Sequence, residues 1–313
     1  MLPATAPHST AEALAPSGRS RVTPFPIRAF GGAHSVRTAR RSLFIRQEPP
    51  SAPPLHHYRD RTAAAAGGVL SRALEAGDMD TLRGLLARDR RSDYPALRAP
   101  RGPDHEYDYR RLLTNAWKTG NFLSHCGVRS GRTVGIAGRR PAAVLAFLGT
   151  ASLGGVARFD PPASIDARAV VAPVGVIDAF ELPPGGTRIA YDDPPDDPDV
   201  AHFERDVWSE NPTLAPADLA ADDPVLATPE SLFSHVELLA AAERVVERTE
   251  LTPGDAVVVR ASLAVPGTVA AGLAAPLLAG ATVVFPTDKT VGDVAIATEN
   301  APEGTVVEPS EVC

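Results

Sequence analysis

Apolar positions recur along this chain with two periods, helical and extended, in a fixed order. From Asp108 to His125 the residues Tyr109, Leu112, Leu113, Ala116, Trp117 and Leu123 fall on one helical stripe, and Gly127 follows as a stop. Val134 to Ala137 is a short unbroken apolar run of the kind a parallel sheet buries on both faces. Pro141 then opens a helix whose Val144, Leu145, Phe147, Leu148 and Leu153 cover so much surface that it must be largely buried. Gly154 and Gly155 end it, and Val156 to Phe159 reads as a second strand. Strand, helix and strand at this spacing predict a parallel βαβ crossover.

The same order returns about 120 residues later, with Gly254 standing where Gly131 stood. A helix is predicted from Pro229 to about Arg248, with Leu232, Val236, Leu239, Ala242 and Val246 on one face. The turn LTPGD leads to a strand Ala256–Val259, a helix from about Pro266 to Leu278, a stop at Gly280 and a strand Thr282–Phe285. Pro276 inside that helix removes a hydrogen bond and predicts a kink. The duplication predicts an α/β fold of two subdomains with mainly parallel sheets flanked by helices, over residues 79–222 and 223–313, the second truncated. Elsewhere the pattern predicts an amphipathic helix over MDTLRGLLARD with Leu82, Leu85 and Leu86 on one face. It also predicts strands at Ala169–Val171 and Arg188–Tyr191, a helix near Val291 and a strand near Val306.

Composition changes this picture mainly at the amino terminus. Residues 1–60 are rich in Pro, Ser and Arg, without sustained period, and read as a disordered tail or a stretch upstream of the true start. The chain's net charge of −7 hides that basic segment, so the remainder is more acidic still and has no footprint for nucleic acid. No apolar run approaches the roughly 20 residues that span a bilayer, so no membrane partner is expected. Two cysteines, Cys126 and Cys313, cannot build a disulfide framework and fit a reducing cytoplasm.

The order HEYDYRRLL, GVRSGRTVGIAG and FLGTASLGGVARFDPP resembles the start of the adenylate-forming (AMP-binding) superfamily of acyl-CoA synthetases, peptide-synthetase adenylation domains and luciferases. Tyr109, Leu112, Gly127, Val128, Gly131, Val134, Gly155 and Pro161 match that family's motifs, and LTPGDAVVV with APLLAGATVVFP resembles its second subdomain. The resemblance covers about residues 79–290 and implies the N-terminal part of such an enzyme. Family members run from Asp-Asp-Pro through a Gly-rich phosphate loop, YTSGTTGxPKG, to a Thr-His pair. Here Asp222-Asp223-Pro224 is followed by VLATPESLF and then Ser234-His235, about nine residues short. Glycine lets backbone N–H groups converge on phosphate, and lysine neutralises it. Between Asp222 and His235 there is neither glycine nor lysine, and Glu230 repels phosphate. Ala264 stands where the family has a His or aromatic residue, and the only lysines, Lys118 and Lys289, lie in unrelated contexts.

These departures imply a degenerate, truncated synthetase-like protein without adenylation of its own, binding ATP weakly or not at all. It would act in binding or regulation, with an intact or split acyl-CoA ligase chain as partner. The alternative is an acid–CoA ligase component completed by a second chain. No catalytic or metal residues are assigned. DDPPDDPD (Asp192 to Asp199) lacks the spacing and glycine of a calcium loop and reads as solvated. His125-Cys126 are adjacent and point apart on a helix, and Ser231 and Ser234 lack a nucleophile-elbow setting. The anion-site candidates are Arg139 and Arg140, which follow a strand's carboxyl end and open a helix; ordinary surface charge is the competing reading.

Overall fold

The computed structural model describes residues 79–100 and 106–313; the tail expected over residues 1–60 lies outside them. The described residues open with two 3-10 turns, Leu82–Leu86 and Arg88–Arg90, where an α-helix is predicted. Ala87 is extended between them, yet Leu82, Leu85 and Leu86 are buried, because spacing by three keeps them on one face of either helix type. Strands β1 (Pro95–Arg98) and β2 (Glu106–Asp108) form an antiparallel hairpin. Helix α1 (Tyr109–His125) starts where Asp108 accepts the Arg111 N–H at 2.6 Å, and all six predicted stripe residues are buried. Gly127 ends it at φ 84°.

Strand β3 (Thr133–Ile136), helix α2 (Pro141–Ser152) and strand β4 (Val156–Phe159) make the first crossover, with β3 and β4 parallel. Every residue of α2 is buried. It crosses α1 where side chains are absent: a Cβ on Gly149 would stand 3.0 Å from the Gly120 nitrogen. Strands β5 (Ala169–Pro173), β6 (Thr187–Tyr191) and β7 (Ala201–His202) extend the sheet, and a short helix α3 (Phe203–Trp208) follows.

The segment predicted as the beginning of a helix at Pro229 is instead a second antiparallel hairpin, β8 (Pro224–Ala227) and β9 (Leu232–Ser234). Helix α4 (His235–Thr249) starts only after it, at a capping box in which Ser234 and Glu237 satisfy each other's backbone N–H groups. Strand β10 (Ala256–Val259) leads into a segmented helix: α5 (Pro266–Val269), a π-turn Ala270–Ala274, and α6 (Ala275–Ala279). The π-turn is how the chain accommodates Pro276, which has no N–H to give. The Ala275 N–H before it reaches five residues back to the Ala270 carbonyl. Strands β11 (Thr282–Val284), β12 (Val294–Ile296) and β13 (Thr305–Val307) complete the chain. The helix predicted near Val291 is absent; Val291 sits in a loop just before β12.

Two mainly parallel sheets result, with strand orders β7-β6-β5-β3-β4-β8-β9 and β13-β12-β10-β11-β1-β2. The orders repeat: β3 and β4 correspond to β10 and β11, β5 to β12, and a terminal hairpin flanks each. The hairpins are exchanged. The β1–β2 hairpin, next to α1 in the chain, pairs with β11 of the later sheet, while β8–β9 pairs with β4 of the earlier one. Neither sheet is therefore confined to one side of residue 222. The amino-terminal arm ties the crossover helices down in the same way, Arg83 donating to the Ser152 carbonyl at the end of α2 and Arg90 to Leu277 and Leu278 in α6. Among the described residues no helix is long and apolar enough to cross a membrane.

Candidate functional site

Because β3, β4 and β10 run parallel to their neighbours, their carboxyl ends open on a cleft of about 380 Å³. Its walls are Ile136, Gly138, Arg139, Phe159 and Asp160 from one sheet and Arg260, Ser262, Leu263 and Ala264 from the other. Carboxyl ends of strands are where open α/β sheets bind ligands. Gly138 makes the turn out of β3 at φ 86°, and no larger residue fits: a Cβ there would collide with the Tyr191 hydroxyl. That hydroxyl donates to the Ala137 carbonyl at 2.7 Å, locking the loop.

The two arginines singled out in the sequence part company here. Arg139 reaches across the cleft and donates from Nη1 to the Arg260 carbonyl at 2.9 Å and the Ala261 carbonyl at 3.3 Å. Arg140 turns towards the end of β6, its Nε 3.8 Å from Asp192 Oδ2. They do not converge on one anion. Two further residues of the cleft, Asp160 and Arg260, carry charge or strain that the sequence reading passed over. Asp160, at the end of β4, holds a left-handed φ of 50°. Arg260 is held by Glu303 in a two-pronged pair, with Nη2–Oε1 at 2.6 Å and Nε–Oε2 at 3.0 Å, and also donates to the Thr290 carbonyl at 2.7 Å. Burial alone would raise the Glu303 carboxyl, but the Arg260 fork and backbone N–H groups outweigh it and hold its pKa below the usual range. Asp160 was legible as the residue between the β4 apolar run and Pro161; the Arg260–Glu303 pair spans 43 residues and left no local signal.

The hairpin turn between β8 and β9 occupies the place of the phosphate loop in the resemblance. The turn lies on the same carboxyl edge, since β8 runs parallel to β4 with Leu226 beside Ala157. Its four residues, Thr228 to Ser231, spend their own donors. The Thr228 N–H donates to the Ser231 carbonyl at 2.8 Å, and the Ser231 and Glu230 N–H groups donate to Thr228 Oγ1 at 3.0 and 3.3 Å. Pro229 has no N–H, and Glu230 is exposed. These residues do not fit a triphosphate.

The remaining candidates have structural partners. His125 pairs with Glu210 at 2.9 Å on the surface, and burial pushes the Cys126 thiol up to about 11, which leaves it protonated and unreactive near neutrality. Ser234 caps α4. Asp197 of the acidic loop holds Arg188 at 2.9 Å.

No protein-family model and no curated protein matches the chain. Solved structures do resemble it. The anthranilate CoA ligase AuaEII, determined with anthranoyl-AMP, is 18% identical, with a TM-score of 0.58 over 72% of this chain and 51% of that one. A form of the nonribosomal peptide synthetase FmoA3 is 23% identical, with a TM-score of 0.55 over 66% of this chain and 22% of that one. The N-terminal domain of FACL13 from Mycobacterium tuberculosis is 15% identical, with a TM-score of 0.53 over 66% of this chain and 57% of that one. This chain spans between about a fifth and a little over half the length of these relatives. It has the α/β fold of the adenylate-forming enzymes, over a part that resembles their N-terminal portion.

Proposed function

We propose that this chain is an adenylate-forming relative that does not activate carboxylic acids with ATP on its own, and that it works by binding. Its partner in this reading is an acid–CoA ligase chain. The observation that carries the reading is the turn Thr228 to Ser231, whose backbone donors are used up inside the turn and whose one charge, Glu230, has the sign that repels phosphate. Each charge-assisted hydrogen bond not made to phosphate forgoes roughly 1.5–3 kcal/mol. Losing several moves a micromolar site to the millimolar range or beyond.

The test is pyrophosphate release by the purified full chain with ATP and a panel of carboxylic acids. No release above the enzyme-free rate is expected; robust release overturns the reading. A second reading, an acid–CoA ligase component completed by another chain, rests on the fold this chain shares with an anthranilate CoA ligase. It predicts pyrophosphate release only when the completing chain is added.

A further inference from the structure

A larger cleft, of about 530 Å³, opens at the opposite end of the first sheet, where β3, β5 and β6 begin. Its walls hold three arginines, Arg129, Arg132 and Arg168, against one acid, Asp166. This basic surface is local on a chain whose net charge is −7.

Two of the arginines are the feet of one tight turn. The Arg132 N–H donates to the Arg129 carbonyl at 3.0 Å, with Gly131 at φ 71° in the third position, which is the geometry of a type II turn. The first and last Cα atoms of such a turn lie within about 7 Å of each other, so the two side chains rise from one small patch. The Gly131 N–H donates to the Gly154 carbonyl at 2.8 Å and pins the turn to the end of α2. Neither the Arg129 nor the Arg132 guanidinium makes a hydrogen bond or ion pair among the described residues.

The third arginine is fixed in advance. Arg168 donates from Nε to the Cys126 carbonyl at 2.7 Å, at the end of α1, and from Nη1 to the Gly185 carbonyl. It lies so close over Gly127 that a Cβ there would stand 2.5 Å from Nε. A guanidinium already held by two carbonyls loses little freedom when a ligand arrives.

We propose that this cleft binds a phosphorylated small molecule carrying at least two negative charges. Two guanidinium forks on one turn, beside a third held in place, match the several oxygens of a phosphate group better than the two of a carboxylate. The volume suits a small organic ligand as well as an inorganic ion. The site lies at the opposite edge of the sheet from the cleft of Arg139 and Asp160, so its ligand would modulate rather than react, and the proposal does not rest on the function proposed above.

The test uses calorimetry on the full chain with inorganic phosphate, inorganic diphosphate, AMP and acetate at matched ionic strength. Phosphate and diphosphate should bind, diphosphate more tightly, while acetate at the same concentration gives no saturable heat. AMP should bind more tightly than phosphate, and AMP binding no more tightly than the free ion would overturn an organic phosphate as the ligand. Arg129→Gln with Arg132→Gln should weaken binding by about a hundredfold or more, the effect of losing one charge-assisted hydrogen bond from each arginine. The same pair of substitutions should leave the unliganded melting temperature unchanged, and Arg139→Gln should leave the affinity unchanged. Phosphate and diphosphate heats no larger than acetate's would overturn the proposal, as would binding that survives the double substitution.

Discussion

His235 has no exposed surface, and the Leu82 N–H donates to its Nδ1 at 3.2 Å. That bond fixes the neutral tautomer with the proton on Nε2, which has no partner. Burial lowers its pKa to about 4 despite the pull of Asp223. The unfolded chain, with an ordinary histidine near 6.5, therefore takes up the proton first. Stability is whole above about pH 6.5 and is lost as pH falls towards 4, by roughly 3 kcal/mol in all and about 2 kcal/mol by pH 5. Urea unfolding at about pH 7.5 and pH 5 should register this loss. His235→Asn, which keeps an acceptor near Nδ1 and cannot titrate, should shrink the difference between the two pH values by about that 2 kcal/mol. An unchanged difference in the variant would assign the pH dependence to the carboxylates instead. In the sequence His235 was visible only as the second member of the family's Thr-His pair. Its burial depends on a contact 153 residues away, which no local pattern carries.

At the level of elements, the apolar runs buried from all sides were the most legible. Val156–Phe159 and Ala256–Val259 are strands at the predicted residues, and Pro141 opens α2 as its missing N–H implies. One misreading fell at β8–β9. Leu232 and Val236 continue the spacing of Leu239, Ala242 and Val246, so a helix from Pro229 looks consistent. Yet Leu232 is 63% and Val236 40% exposed, and the buried face of α4 is Leu238, Leu239, Ala241, Ala242 and Val245. Two apolar residues near a sheet edge imitated a helical stripe. The signal that resolves it was present: Ser234 followed three residues on by Glu237 is a capping-box signature, and it places the helix start after the hairpin. The α1–α2 crossing had no such signal, since helix glycines also occur without a close approach. It makes its own prediction. Gly149→Ala would put a Cβ 2.9 Å from Thr119 Cγ2 and 3.0 Å from the backbone nitrogen of Gly120, atoms with little room to give. Overpacking costs about 1–3 kcal/mol, against a helix-propensity gain of only about 0.5–1 kcal/mol. Gly149→Ala should accordingly lower the denaturation midpoint, whereas Gly175→Ala, with nothing within 4 Å, should stay within about 0.5 kcal/mol of the parent. A Gly149→Ala protein as stable as the parent would mean the helices can part without cost.

Over the whole molecule the duplication was legible as two matching runs, but the exchange of hairpins was not. A strand's own residues say that it will be buried, not which sheet buries it. Pro95–Arg98 precedes α1 in the chain and nonetheless pairs with β11, Leu97 beside Val283, after nearly two hundred intervening residues. Pro224–Ala227, just before α4, pairs back with β4. Tyr109 reinforces the exchange, its buried hydroxyl donating to the Ala281 carbonyl at 2.7 Å. Each half of the sequence therefore supplies a hairpin to the other half's sheet. Dividing the chain between residues 222 and 223 would leave residues 79–222 with the orphaned hairpin β1–β2 and with β4 as an exposed, apolar sheet edge. Residues 223–313 would carry the orphaned β8–β9 and the same defect at β11. Unpaired edges of this kind aggregate rather than persist. Each fragment alone should give a poorly dispersed amide NMR spectrum, while the two refolded together should recover the dispersed spectrum of the intact chain. The intact chain should unfold in one cooperative transition by circular dichroism and by tryptophan fluorescence alike. Two separate transitions, or a well-dispersed spectrum from residues 79–222 alone, would show that the exchanged hairpins are appendages and that each half closes its own core without them.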